Sequence, residues 1–421
     1  MAAKNLKDLE AMVVSLEKIL PGAQAAYAEA VENAVNEFEP ALAYRAEPPR
    51  KNAVSLAERL VDLLKSLVAD RKKRVDIRFL HRSISRLCQA MLQREEAFEH
   101  ARLYRELTPQ DASLKQKAEA WIFLAKACYW CDDQKGAVEY QRRAIDLLDK
   151  ARERGELSGE DEKAFNTAYT VWAFRYAQNT CAWAEADRTF EFALQRTGQW
   201  DDPGLVSAAL ILYAEAKMFQ GDWEACECLA AECVRAALAQ PGGPVSDYPF
   251  WIWGRALVYT GRAQDALPEL EKAVSLAKDI GDAVGLSEAL ISRAEAYLAV
   301  GESRRAVDTA DSARQVAEYA GLGVNLAQVR VWRSWIEMEV DKTSAPRHLG
   351  PLHQSLEDFE RLGMRSGWAC ALHGLGHALV LCGRTEMAGF YLERAVQAFG
   401  EWDMPWHRAR AEGTLGSLSD S

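Results

Sequence analysis

The chain contains 421 residues, of which 49% are hydrophobic and 27% are charged. This balance is typical of a globular protein with a substantial core, and it argues against disorder. The formal net charge of −11 at pH 7 argues against a general nucleic-acid binder, because affinity for phosphates depends on clustered lysine and arginine side chains. A basic run at residues 71–74 is typical of the solvated C-terminus of a helix, where cations are favoured.

The N-terminus mixes acidic and basic side chains and lacks the apolar core of a signal peptide. No apolar run in the sequence approaches the roughly 20 residues that span a bilayer. The nine cysteines are an odd number scattered along the chain, which is typical of reduced thiols. These observations predict a cytoplasmic protein that does not bind membranes.

Two groups of cysteines raise the question of metal or redox chemistry: Cys128 with Cys131, and Cys226 with Cys228 and Cys233. A zinc site of this kind usually takes turn-borne cysteines in matched pairs, whereas most of these cysteines lie in helical patterns. Cys226 and Cys233 stand where the repeat described below requires small residues. We therefore predict that these cysteines pack as small apolar side chains and that the protein has no metal or other cofactor.

Residues 1–75 contain three segments with apolar residues at helical spacing, separated near Pro21 and near Pro48 and Pro49. We predict three helices here. Their apolar faces need a cover, which leaves two alternatives: the segment caps the first repeat of the array that follows, or it pairs with a second copy in a homodimer.

From residue 76 to about residue 402, a small residue returns at intervals of about 40 residues, shortly after a polar turn. One interval is longer because of a polar insertion around residues 152–160, and a degenerate repeat at about residues 323–362 fills the last gap. The series of small residues is Ala97, Ala137, Ala186, Cys226, Ala266, Ala306 and Ala388.

Each clear period contains two helical patterns separated by a turn of glycine and a polar residue, which ends one helix and begins the next. The turns are QGDW at 220–223, TGRA at 260–263, VGES at 300–303 and CGRT at 382–385. The repeating unit is therefore predicted to be a helical hairpin. Residues 403–421 follow the last hairpin and are predicted to form a capping helix and tail.

Three repeats resemble the tetratricopeptide family, whose pattern is W-x2-L-G-x2-Y followed by two alanines. Gly254 and Gly376 are expected to let paired helices approach closely, because glycine has no Cβ. The matching residues of the fifth repeat are Phe250, Trp253, Gly254, Leu257, Gly261, Ala266, Leu270 and Ala273. Those of the eighth are Leu372, Leu375, Gly376, Leu379, Gly383, Ala388, Leu392 and Ala395, and those of the second are Trp121, Leu124, Ala125, Ala137 and Ala144.

The period of about 40, instead of the family's 34, resembles the helical arrays of large LuxR-type, maltose-activator-like signal-transduction ATPases. The resemblance covers roughly residues 75–417, and it rests on spacers such as DIGD at 279–282 and FGEWDMPW at 399–406. It implies an all-α, right-handed superhelical solenoid of about eight helical hairpins with an N-terminal helical cap. The sequence has no GxxxxGK[ST] loop and no helix-turn-helix pattern, so the ATPase and DNA-binding parts of those regulators have no counterpart in it.

The search for catalytic motifs finds no GxSxG, HExxH, EF-hand loop or phosphate-binding glycine loop. His373 and His377 are four residues apart, so they could face one metal, although no glutamate follows the first. Cys370 is close enough to His373 for a thiol–imidazole pair. Packing, partner contact and metal or catalytic chemistry remain the alternatives for the two histidines. We predict that the protein is not an enzyme.

The family resemblance implies that the first helix of each hairpin lines a concave groove that contacts the ligand. On this basis we predict a non-enzymatic scaffold that binds a partner protein or peptide. The alternative is a sensor or regulatory module for a small molecule or signalling peptide. Trp251, Arg255 and Tyr259 are expected to form one stripe along a helix that faces the groove, although any of the aromatic residues could instead belong to the core. The predicted partner-binding residues are Lys126, Tyr129, Trp130, Arg175, Glu215, Trp251, Arg255, Tyr259, Glu295, His373 and His377.

Overall fold

The structure is a computed structural model that describes residues 6–19, 27–42, 49–69, 76–200, 202–239 and 246–418. The described residues form twenty α-helices and one short 3-10 helix, without a strand, so the predicted all-α class is confirmed. No helix in these ranges is both long and apolar enough to cross a membrane. Pro21, Pro48 and the basic run at 71–74 lie outside the described residues.

The chain divides into two compact units, one of residues 1–157 with 278–282, the other of residues 158–277 and 283–421. The helices of the first unit are α1 (Leu6–Ile19), α2 (Tyr27–Leu42), α3 (Pro49–Ala69), α4 (Ile77–Ala90), α5 (Arg94–Glu106), α6 (Leu114–Trp130) and α7 (Gln134–Glu153). Those of the second are α8 (Gly159–Thr180), α9 (Trp183–Thr197), α10 (Pro203–Gln220), α11 (Trp223–Leu238), α12 (Tyr248–Tyr259), α13 (Ala263–Ile280), α14 (Ala283–Ala299), α15 (Ser303–Ala320), α16 (Gly323–Val340), α17 (Ala345–Leu362), α18 (Arg365–Leu381), α19 (Thr385–Glu401) and α20 (Pro405–Gly416).

In the first unit, the apolar faces of α1, α2 and α3 pack together with α4 in one hydrophobic core. Val13, Phe38, Leu60 and Ile84, one from each helix, are all fully buried there. The three N-terminal helices therefore cover one another and the first helix of the array, which is the packing that a cap requires. The boundary at residue 75 and the homodimer stay predictions.

Helices α4 to α19 pair as consecutive hairpins, from α4 with α5 to α18 with α19, and α20 follows the last of them. The small residue of the repeat lies on the second helix and is buried, as at Ala266 and Ala306, both 0% exposed. The degenerate repeat expected at residues 323–362 is the hairpin of α16 and α17. The predicted hairpin solenoid is confirmed.

The degenerate repeat departs from the pattern because a histidine occupies the position of the small residue. His348 is the fourth residue of α17, as Ala306 is of α15 and Ala388 of α19. Its side chain is buried, and its Nε2 atom lies 3.3 Å from Oε2 of Glu337 on the preceding helix. The carboxylate thus gives a polar partner to an imidazole in a place where the other repeats bury a methyl group.

The turns explain which repeats are easy to recognise in the sequence. In the clear repeats, a glycine takes the left-handed conformation between the two helices, with φ of 82° at Gly261 and 83° at Gly301. The less clear repeats use other residues in this conformation, with φ of 65° at Leu92, 61° at Asp132 and 57° at Cys181. Because glycine is the usual residue in this conformation, these turns are not marked in the sequence.

Two helix-interior glycines allow close packing within their hairpins, as predicted. A Cβ atom added to Gly254 would lie 2.5 Å from Cγ of Leu270, and one added to Gly376 would lie 2.6 Å from Cγ of Leu392. Both distances are shorter than van der Waals contact. The leucine of the second helix therefore packs directly on the backbone of the first.

The two ends of the second unit contact each other. Helix α18 contacts α8, and Nε1 of Trp183 donates a hydrogen bond of 2.7 Å to the carbonyl oxygen of Trp402. Arg365 also donates to the carbonyl oxygen of Thr180, at 3.2 Å. The hairpins of this unit therefore form a closed ring.

The close approach at Gly376 predicts that Gly376→Ala destabilises the protein. Overpacking against Leu392 costs about 1–3 kcal/mol, which exceeds the gain of at most about 1 kcal/mol from alanine's higher helix propensity. The control is Gly413→Ala on α20, where a Cβ would meet no atom within 4 Å. Urea denaturation should give a lower free energy of unfolding for Gly376→Ala and an unchanged or higher value for the control. Equal values would show that Gly376 is not a packing position.

Candidate functional site

The first helices of the hairpins in the second unit contact one another in series, from α8 through α10, α12, α14 and α16 to α18. Helix α20 packs against α18 and α19. Side chains from these helices meet in the middle of the ring, and we call the surface that they form the inner face. It is defined by Glu215, Arg255, Tyr259, Glu288, Glu295, Trp332, Trp335, His373, His377, Trp406 and Arg410.

A buried charge cluster occupies the inner face between α12, α14 and α16. Arg255 is 3% exposed; its Nε lies 3.0 Å from Oε2 of Glu295, and its Nη1 lies 3.7 Å from Oε2 of Glu288. The hydroxyl of Tyr259 donates to Oε1 of Glu295 at 2.5 Å. Nδ2 of Asn325 donates to Oε1 of Glu288 at 2.7 Å. The cluster therefore joins three consecutive hairpins through paired charges and hydrogen bonds.

The pKa shifts in this cluster follow from burial and from the paired charges. Burial alone would lower the pKa of Arg255, but the charges of Glu295 and Glu288 outweigh it, and the net shift is upward. Burial raises the pKa of Glu288 in spite of Arg255 and Asn325. Burial and the charge of Glu295 also raise the pKa of Tyr259. Arg255 therefore stays protonated, and Tyr259 stays a hydrogen-bond donor.

The expectation that three residues of α12 form one stripe facing the groove is wrong for Trp251, and the exposure expected of Arg255 is wrong as well. Trp251 is 1% exposed and its ring lies 5.6 Å from that of Tyr248, so it belongs to the core. Arg255 is buried as well, because the carboxylates of α14 surround it and its guanidinium lies 4.5 Å from the ring centre of Trp332. Only Tyr259 of the three is half-buried rather than buried.

Glu215 on α10 is a half-buried carboxyl group next to this cluster. Burial and the negative charge of Glu288 raise the pKa of Glu215 to about 8. Within the described part of the chain, Glu215 makes no hydrogen bond and no ion pair. Near neutral pH it is therefore mostly protonated, and it is available to interact with a ligand.

The two predicted histidines lie beside Trp335 of α16. The ring of His377 stacks on Trp335 with centres 4.4 Å apart, and that of His373 lies 5.0 Å away, edge to face. Nε2 of His373 is also 3.1 Å from Oγ1 of Thr414 on α20. Burial lowers the pKa of both histidines, so both are neutral at physiological pH.

The thiol–imidazole contact near these histidines differs from the one considered in the sequence. Sγ of Cys370 lies 3.9 Å from Nδ1 of His407, and among the described residues it forms no hydrogen bond with His373. Burial raises the pKa of Cys370 to about 12, which leaves the thiol protonated and a poor nucleophile. The residues that the structure describes contain no group of three side chains suited to a metal ion.

The other predicted residues lie elsewhere. Lys126, Tyr129 and Trp130 are on α6 in the first unit, where Lys126 is exposed and the rings of Tyr129 and Trp130 meet edge to face at 5.7 Å. Arg175 is a half-buried residue of α8 in the second unit. Their role in binding stays a prediction.

One inner-face residue, Trp335, was not predicted although its spacing from predicted residues indicates it. Glu215, Arg255 and Glu295 stand one repeat interval apart, and the next such step reaches Trp335 in the degenerate repeat. No such signal exists for Arg410 or Trp406, because α20 follows the last complete hairpin. The side-chain partners of Arg255 on α14 and α16 depend on helix rotation, which spacing alone does not specify.

Paired helices with small residues at fixed positions, stacked in series around an inner face, define a tetratricopeptide-type helical repeat fold. No family model and no curated protein matches the chain. Among solved structures, it is similar to a Rap protein complexed with competence and sporulation factor, with a TM-score of 0.59 at 13% identity, covering 89% of this chain and 99% of that one.

A second similar structure is the apo form of the quorum sensor NprR from B. thuringiensis, with a TM-score of 0.51 at 14% identity, covering 88% of this chain and 99% of the other. A third is a signal-transduction ATPase (STAND) protein with a tetratricopeptide repeat sensor from Pyrococcus horikoshii. It is 11% identical, with a TM-score of 0.42, and the similarity covers 97% of this chain and 69% of that one. At these identities the first two similarities establish the fold.

The burial of Arg255 predicts that its removal is strongly destabilising. Arg255→Met fills a similar volume but leaves Glu288 and Glu295 without their cation, which costs about 3–5 kcal/mol for a buried pair. The control is Arg262→Met, because Arg262 is half exposed and its pair with Glu227 at 2.7 Å is worth at most about 1 kcal/mol. Chemical denaturation measures the free energy of unfolding of both variants. A loss below about 1 kcal/mol for Arg255→Met would mean that the cluster is not a structural element.

The raised pKa of Glu215 predicts a pH-dependent stability. In the folded protein the carboxyl group of Glu215 keeps its proton up to about pH 8, whereas a free glutamate loses its proton near pH 4.3. The folded state is therefore stabilised by this proton at low pH, and that stabilisation is lost as the pH rises between these two values. Glu215→Gln cannot titrate. The free energy of unfolding of Glu215→Gln, relative to that of the wild type, should therefore rise by about 4 kcal/mol between pH 5 and pH 8.5. Glu224→Gln, an exposed site on α11, controls for the change in net charge; a constant difference between Glu215→Gln and the wild type would refute the assignment.

Proposed function

We propose that the protein is a non-enzymatic receptor that binds a short peptide on the inner face of the second unit. The observation that carries the proposal is that aromatic rings and polar side chains without partners converge there. Tyr259, Trp332 and Trp406 are half-buried aromatic residues. Glu215 and Arg410 have no ion pair among the described residues. Aromatic residues and arginine dominate the energetics of binding interfaces, and unpaired polar groups gain partners from a ligand.

The closed ring favours a short segment over a folded partner. Helix α18 contacts α8, and Trp183 bonds to the backbone of Trp402, so an intact domain cannot reach the inner face without opening these contacts. A peptide in an extended conformation has a smaller cross-section than a folded domain, so it is the partner that such a ring favours. This geometry favours a sensor for a peptide signal over an open scaffold for a large protein.

The comparisons support a signalling role. The similar Rap structure is of a protein complexed with competence and sporulation factor, and NprR is a quorum sensor. The inner face also favours a peptide over a nucleic acid, because Arg410 is the one cation of this face that forms no ion pair among the described residues, whereas binding of phosphates takes clustered cations.

The experiment exposes the purified full-length protein to a library of short synthetic peptides and identifies the retained peptides by mass spectrometry. Trp332→Ala removes an aromatic surface beside Arg255, so it should lower the affinity for retained peptides about tenfold or more, as hot-spot residues do. The affinities of wild type and variant are compared by isothermal titration calorimetry.

The matched control is Trp200→Ala. Trp200 is a half-buried tryptophan in the turn that follows α9, and the guanidinium of Arg196 lies 5.7 Å from its ring centre. This variant should retain the wild-type affinity. Equal affinity for wild type and Trp332→Ala would place the peptide elsewhere, and retention of no peptide by the wild type would overturn the proposed function.

A further inference from the structure

Arg410 of α20 is a cation without an anionic partner on the inner face. Its guanidinium lies over two aromatic rings, 5.1 Å from the centre of Trp335 and 4.9 Å from that of Trp406. Within the described residues it makes no ion pair and donates no hydrogen bond, and its side chain is half-buried. A guanidinium has five N–H donors in a planar fork, so this group has its full hydrogen-bonding capacity available.

Comparable arginines of the neighbouring helix are paired. Arg330 on α16 lies 2.8 Å from Asp358, and Arg333 lies 3.0 Å from Asp311. On α20 itself, Arg408 lies 2.8 Å from Glu412. The unpaired state of Arg410 is therefore a property of its position between two tryptophans, and not of arginines in this part of the fold.

Arg410 supplies positive charge to the buried groups around it. Positive charge from Arg410 and Arg255 acts on Cys370 and His407, and positive charge from Arg410 also acts on His373. Burial, assisted by these two arginines, lowers the pKa of His407 to about 3, so this imidazole is neutral and the local charge comes from the guanidinium.

None of the described carboxylates forms an ion pair with Arg410. Glu339 is a half-exposed residue whose Oε1 lies 3.9 Å from Nε2 of His377. Glu295 and Glu288 are paired with Arg255. Arg410 thus faces the interior of the ring with its charge uncompensated by any described acid, although the chain as a whole carries a net charge of −11.

We propose that Arg410 is the anion-binding residue of the inner face and that it binds a carboxylate of the peptide ligand. This inference rests on the proposed function, because it assigns the chemistry of the same site. A carboxylate accepts two parallel hydrogen bonds from a guanidinium fork, and the aromatic rings on which Arg410 rests keep the fork oriented and partly shielded from water. The tryptophans also offer apolar surface to the residue that bears the carboxylate.

A carboxylate suits this position better than a phosphate. Arg410 supplies a single cation, whereas the centre of the inner face holds the carboxyl groups of Glu215, Glu288 and Glu295. A singly charged carboxylate matches this one cation, whereas a chain of phosphates takes several cations, and the other arginine of the inner face, Arg255, is already paired with Glu288 and Glu295. The carboxylate comes either from the C-terminus of the peptide or from an acidic side chain, and the experiment separates these two sources.

The experiment uses the full-length protein and pools of hexapeptides that are otherwise neutral. The first pool has a free C-terminus and no acidic residue, the second has an amidated C-terminus and one glutamate, and the third has an amidated C-terminus and glutamine instead. Affinity is measured by competition for the retained peptides. The wild type should prefer the first or the second pool to the third by about tenfold or more, and the preferred pool identifies the source of the carboxylate.

The variants test Arg410 itself. Arg410→Gln should remove the preference and leave the affinity for the third pool unchanged, whereas Arg408→Gln, on the exposed side of the same helix, should behave as the wild type. Arg410→Lys keeps the charge without the fork and should retain part of the preference. The melting temperature of each variant confirms that it is folded.

The possible results separate the two proposals. If the wild type retains all three pools equally, or if Arg410→Gln keeps the preference, the protein binds peptides but Arg410 is not the anion site. If the wild type retains no pool, the proposed function fails and this inference fails with it. Binding of a short phosphorylated oligonucleotide that depends on Arg410, without binding of the peptide pools, would also overturn the proposal in favour of a nucleic-acid ligand.

Discussion

The arrangement of the second unit depends on the ion pairs of one buried arginine. A buried charge is tolerated only when it is paired and hydrogen-bonded, and Arg255 meets this condition through Glu288 and Glu295 of the next hairpin. Asn325 extends the network to α16 by its bond to Glu288. The network thereby fixes the rotation of the helices in three hairpins about their own axes. Apolar packing between small residues specifies this rotation less tightly.

This network also orients the aromatic residues around it. The hydroxyl of Tyr259 is held by Glu295, and the ring of Tyr259 stacks on Trp223 with centres 4.1 Å apart and meets Trp406 of α20 at 5.1 Å. The C-terminal helix is therefore positioned by contacts that begin at the charge cluster. A binding surface built in this way is preorganised, so a ligand need not supply the free energy to order it.

The sequence predicted the fold well and the inner face only in part. Small residues at positions such as Ala266 mark the close approach of helices directly, because nothing larger fits there. The exposure of Arg255 could not be predicted, since it depends on partners from α14 whose direction is set by helix rotation and not by spacing. Arg410 was missed because α20 has no second helix, and a pattern defined by pairs does not extend to it. The hairpin that contains His348 was recognisable only as a degenerate repeat, because an imidazole with a carboxylate partner does not resemble the alanine that other repeats have at this position.

The contact between Trp183 and Trp402 changes how the second unit should behave as a repeat protein. In an open solenoid each hairpin interacts only with its neighbours, so the ends fray and the middle survives. Here an indole–carbonyl bond joins residues 219 positions apart in the sequence, and the last hairpin acts as a neighbour of the first. Such a unit has no free end at which unfolding can begin at low cost, and its hairpins should be lost together, as in a globular domain. The ring also holds its inner face at a fixed width, whereas an open superhelix can adjust its pitch continuously to each partner.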